Sequence, residues 1–155
     1  MNFFRELCNN AVFISAVTGW FVAQILKTIV YVILNKTFVV ERLVGDGGMP
    51  SAHSATVCSL ATSTFFEFGV GSFPFAISAI FAIVVMHDAM GVRRETGIQA
   101  RVLNEIIETF EKMGRSELSA QDKLKEFVGH TPLQVLVGGI LGCIVAVIMH
   151  FLIYS

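Results

Sequence analysis

Four apolar runs, at 11–34, 54–68, 73–90 and 133–154, constrain what this chain can fold into more than any other feature. Crossing the hydrocarbon of a bilayer takes about 20 helical residues, somewhat fewer where an end lies inside the headgroup layer. In lipid, only helices and closed barrels satisfy every backbone amide. Composition agrees: 54% of the 155 residues are hydrophobic and 15% charged, against roughly a quarter charged in a soluble domain. The expectation is an all-α protein, a single integral membrane domain over 1–155. It would be a bundle of about four transmembrane helices plus an amphipathic helix at the cytoplasmic face.

The second run is the shortest and interleaves Thr56, Ser59, Thr62, Ser63 and Thr64 with apolar residues. Hydroxyls in that pattern suit helix–helix contact better than lipid. Between the third and fourth runs lies the only long polar stretch, 93–130. In it Ile98, Val102, Leu103, Ile106, Ile107, Phe110 and Met113 recur at helical spacing, which predicts an amphipathic helix ending near Gly114. A shorter helix capped by Ser119 and running toward Phe127 is expected after it. The apolar stripe should pack on the bundle or lie in the headgroup plane.

Four spans put both termini on one side and both polar connections, 35–53 and 91–132, on the other. Nine of the eleven Lys and Arg residues lie in those connections, so the positive-inside rule assigns that face to the cytoplasm. The net charge of −1 gives no reason to expect nucleic acid as a partner. Cys8, Cys58 and Cys143 show neither a zinc spacing nor a disulfide framework and read as small buried hydrophobes. A hydroxyl-rich second helix also leaves room for a homo-oligomer.

The chemistry is concentrated in "GDGGMPSAHSAT", residues 45–56. Glycines allow a tight turn, Pro50 suits the first turn of a helix, and Ser51 and Ser54 are capping residues. A helix N-terminus binds anions, and at headgroup depth the natural anion is a lipid phosphate. A merely capped start of a membrane helix would use the same residues. Two histidines distinguish the cases: His53 lies in this turn and His130 in "GHTPLQ" at the same membrane face. Imidazole serves as nucleophile, acid or base near neutral pH.

"GGMPSAHSA" resembles the Pro-Ser-Gly-His motif of the type 2 phosphatidic acid phosphatase and vanadium haloperoxidase superfamily, with Ala52 in place of the usual glycine. "HTPLQVLVG", 130–138, is similar to that superfamily's last motif, and 87–104, "HDAMGVRRETGIQARVLN", resembles a divergent bacterial and plastid branch described as acid phosphatase or haloperoxidase-related. The resemblance implies hydrolysis of a membrane lipid phosphate or diphosphate monoester without metal or cofactor. His130 would be the nucleophile, His53 the proton donor and Lys27 a phosphate ligand. It also implies the plasma membrane of a bacterium.

Two departures stand out. Gln134 replaces the carboxylate that orients the nucleophile, and Leu124 stands where an arginine is expected. Asp88 is then the candidate substitute carboxylate, and Arg93 or Arg94 the substitute phosphate clamp, beside Ser51 and Ser54. Each has a plainer role open to it: Asp88 paired with Arg93 or Arg94 at the interface, Lys27 snorkelling to the headgroups, His87 and His150 structural. The rival functions are a non-catalytic lipid-phosphate-binding, transport or scaffold protein, and a metal-dependent hydrolase using His87, Asp88 and Glu95.

Overall fold

The computed structural model describes residues 2–37, 48–113, 124 and 129–154. It contains a short helix α1 (Phe3–Cys8) followed by α2 (Ala11–Asn35), α3 (Ala52–Phe68), α4 (Phe73–Met90), α5 (Val92–Lys112) and α6 (Pro132–Met149). A π-helical turn, His150–Tyr154, continues α6. Helix starts are set by side chains the sequence supplies: Asn10 accepts from the Phe13 amide at 2.9 Å, and Ser72 from the Phe75 amide at 3.3 Å. α3 ends on Gly69, whose φ of 79° favours a residue without Cβ. The predicted helix capped by Ser119 lies outside the described residues.

α3 is the centre of the bundle. Ser59 donates to the Ser15 carbonyl at 2.7 Å and Ser63 meets Ser15 at 3.3 Å, while Ala23, about two turns further along α2, packs on Ala52 and Ala55. The two helices are therefore antiparallel. Contacts of Cys58 with Met86 and Phe65 with Phe75 set α4 antiparallel to α3 as well. On the third side α6 runs parallel to α3, from Gly138 against Ser51 to His150 stacked on Phe66 at 4.3 Å.

Packing is inside-out relative to a soluble protein. The largest fully buried side chains among the described residues are Ser15, Ser51, Ser54 and Ser59, whereas Phe21, Ile33, Phe81, Ile140 and Leu152 face outward. Lipid is as apolar as leucine, so burying large side chains drives little association there. Small residues that allow close backbone approach drive it instead. At Gly142 a Cβ would run into the Ala55 carbonyl oxygen, and at Gly138 into that of Ser51.

Among the described residues, three helical stretches are long and apolar enough to cross a membrane: Ala11–Asn35, the apolar part of Phe73–Lys112, and Pro132–Leu152. The protein is a membrane-associated helical bundle. α3, the second predicted run, falls short of the other three: 17 residues extend about 25 Å, against about 30 Å of hydrocarbon. Its start is also recessed, because Ala23 meets Ala52 and α2 continues for three more turns to Asn35.

α5 follows α4 directly through Gly91. Among its described side chains Gly97, Ala100 and Asn104 are buried, and its apolar stripe of Ile98, Val102, Ile106, Phe110 and Met113 is exposed. Of the two expectations for that stripe, packing on the bundle is not what the helix does. Asn104 instead holds Leu124 by two hydrogen bonds, each 2.9 Å, one to its amide and one from Asn104 Nδ2 to its carbonyl. The expected burial of the cysteines is corrected: Cys8 and Cys143 are exposed, and only Cys58 is half-buried.

Candidate functional site

Ser51 is the N-cap of α3, its hydroxyl oxygen accepting from the Ser54 amide at 3.4 Å and from the Ser54 hydroxyl at 3.1 Å. Both serines are fully buried, so these hydroxyls hold the turn. Pro50 precedes the cap instead of entering the first helical turn. The Ser51 amide donates to the Gln134 carbonyl at 3.1 Å, and the Ser51 carbonyl lies against Gly138. The start of α3 is thereby clamped to the first two turns of α6.

Lys27 reaches this turn from α2. It is only 5% exposed, which rules out snorkelling, and a Cβ on Gly48 would come within 3.2 Å of its Cγ and Cδ. With φ of +87°, Gly48 makes the turn and leaves space for the lysine stem. Lys27 is a positive charge enclosed within the bundle next to the Gly48 turn. Here it stands beside the positive end of α3, where the two together favour an anion.

His130 is 4% exposed and its amide donates to the Ala89 carbonyl at 3.0 Å, which joins the start of α6 to the end of α4. Next comes a capping box: Thr131 Oγ1 accepts from the Gln134 amide at 3.4 Å, and Gln134 Oε1 accepts from the Thr131 amide at 3.0 Å. That same Oε1 stands 3.3 Å from His130 Nδ1. A backbone amide only donates, so the carboxamide atom facing it is the oxygen. The oxygen only accepts, which assigns the proton to Nδ1 and the lone pair of the neutral ring to Nε2.

The fold brings the His53 and His130 rings together, with centroids 5.8 Å apart and planes at 64°. This places two imidazoles, a buried lysine and a helix N-terminus at one end of the bundle. Asp88 is half-buried next to Ala89, so the backbone bond from His130 holds it at the same level. Arg94 is exposed on the first turn of α5, and the Arg93 side chain lies outside the described residues. His87, expected to be structural, is exposed. No group of three metal-ligating side chains converges among the described residues.

Three features were missed in the sequence. The T-x-x-Q capping box at 131–134 was legible as such, and small residues four apart, Gly138, Gly142 and Ala146, were a visible close-packing signal. Gln24, buried in α2, carried no sequence signal beyond being a lone amide in an apolar run. An apolar groove of about 520 Å³ lined by Phe13, Leu60, Thr64, Phe73 and Phe81 opens at the opposite end of the bundle. It lies about 16 Å along α3 from His53.

The chain is similar to the uncharacterized membrane protein YuiD of Bacillus subtilis (strain 168), with 36% identity over 154 residues, covering 94% of this chain and 98% of the relative. No solved structure matches it. Residues 8–145 match the Divergent PAP2 family, a range that includes Lys27, the Ser51 turn, both site histidines and Gln134. The order and spacing of those residues, the fold that gathers them and the two comparisons agree: the chain belongs to the Divergent PAP2 family.

Proposed function

We propose that the protein is a phosphatase acting on a lipid phosphate or diphosphate monoester through a histidine nucleophile. The observation that carries this reading is the 5.8 Å approach of the His53 and His130 rings beside buried Lys27. In the first step His130 Nε2 attacks phosphorus, the bond to the lipid oxygen breaks, and His53 gives that oxygen its proton. In the second, His53 takes a proton from water, which attacks the phosphohistidine and releases inorganic phosphate. Lys27 and the α3 N-terminus stabilise the charge on the phosphoryl oxygens. Asp88, Arg93 and Arg94 remain the candidate supporting charges from α4 and α5.

In this reading α3 is a fourth, short span, enclosed by α2, α4 and α6. The site opens to the cytoplasmic side of the plasma membrane, as the nine basic residues in the two connections favour. The lipid chain stays in the bilayer. Gln134 favours a second reading, a lipid-phosphate binder, because a neutral amide sets a tautomer but adds no charge to stabilise an imidazolium.

Purified protein in lipid nanodiscs separates the two. Phosphate release from phosphatidate, phosphatidylglycerophosphate or a prenyl diphosphate should be insensitive to chelators, blocked by vanadate, and lowered at least about 1,000-fold by either His53→Ala or His130→Ala. Binding without release from any of the three assigns the binder.

A further inference from the structure

Gln24 is 7% exposed, and its Oε1 has no hydrogen-bond partner among the described residues. A carboxamide held this way inside a membrane bundle destabilises the fold unless something else satisfies it. Its surroundings on α2 place it at the site. Ala23 packs on Ala52 and Ala55, Lys27 lies against the Gly48 turn, and Thr28 donates to the Gln24 backbone carbonyl at 2.9 Å. Gln24 and Lys27 are three residues apart, so Gln24 lies one turn below, about 4.5 Å deeper in the bilayer.

We propose that Gln24 reads the ligand. Its Oε1 accepts a hydrogen bond from the first hydroxyl on the hydrocarbon side of the phosphate, a free hydroxyl of a glycerol backbone. The inference rests on the phosphate lying at Lys27 and the histidine pair. A glycerolipid phosphate with a free glycerol hydroxyl carries a donor at that depth, whereas a prenyl phosphate carries only hydrocarbon and would leave the amide oxygen buried and unsatisfied. Sites built around a buried polar group reject analogues that lack its partner far more strongly than apolar pockets reject an added hydroxyl.

The test compares wild type with Gln24→Leu in nanodiscs, using an octanoyl lysophosphatidate and farnesyl phosphate as probes, with Tm, ligand-induced Tm shift and phosphate release as readouts. Without ligand, Gln24→Leu should melt at or above wild type, since it removes an unsatisfied buried amide. Wild type should prefer lysophosphatidate, and the variant should lose that preference on the order of 100-fold, mainly by weaker lysophosphatidate binding. A lower unliganded Tm with unchanged preference would overturn the proposal in favour of a structural hydrogen bond. Equal binding of the two probes by wild type, or binding of neither, would also overturn it. Preferential binding without hydrolysis would retain Gln24 as a reader and remove the phosphatase reading; hydrolysis of both probes without preference would do the reverse.

Discussion

Gln134 holds two positions at once, because its Oε1 closes the α6 capping box and faces His130 Nδ1. Gln134→Leu removes both. It should cost about 1 kcal/mol of stability through the lost cap and, if the phosphatase reading holds, on the order of 1,000-fold or more in turnover through loss of tautomer control. Gln134→Glu keeps the reach and the cap acceptor while adding a negative charge beside the proposed nucleophile, His130. Faster phosphate release from this variant than from wild type would mark the amide as a brake; slower release would show that the uncharged acceptor suits the site. The sequence displayed Gln134 as a missing carboxylate. Its capping role required the T-x-x-Q spacing to be weighed as helix chemistry, and its contact with His130 required the turn to be folded.

Among the elements, α3 and α6 are joined by backbone instead of by large side chains. Gly142→Ala puts a methyl group against the Ala55 carbonyl, which belongs to a rigid helix and cannot swing away. The expected cost is about 1–3 kcal/mol, read as a lowered Tm. Phosphate release should fall with it, because α6 also carries the approach to His130. Gly71→Ala is the control: nothing lies within 4 Å of a Cβ there, and its Tm should stay at the wild-type value. Helix extents were legible to within a few residues, since capping and hydropathy are local. What escaped the sequence was the direction of the α5 stripe. Periodicity shows that a helix has an apolar face but not whether protein or lipid covers it, and here the protein-covered residues are Gly97, Ala100 and Asn104.

For the whole molecule, the proposed orientation rests on charge: nine of eleven basic residues lie in the connections 35–53 and 91–132. Cys8 is exposed and belongs to α1, at the opposite end of α2 from that face. A membrane-impermeant maleimide added to intact cells should therefore label Cys8, measured against a Cys8→Ser control. Labelling only after the membrane is opened would invert the topology and turn the site outward.

By itself the sequence determined the helical membrane class, the family motifs and the membrane face they share. These follow from hydropathy, capping and charge, which act over a few residues or count along the chain. Tertiary structure alone decided that α3 is central, that Lys27 turns inward, and that His53 and His130 stand 5.8 Å apart. Those outcomes depend on how closely helices far apart in sequence approach one another. That approach is set where Gly138 and Gly142 leave no side chain between two backbones.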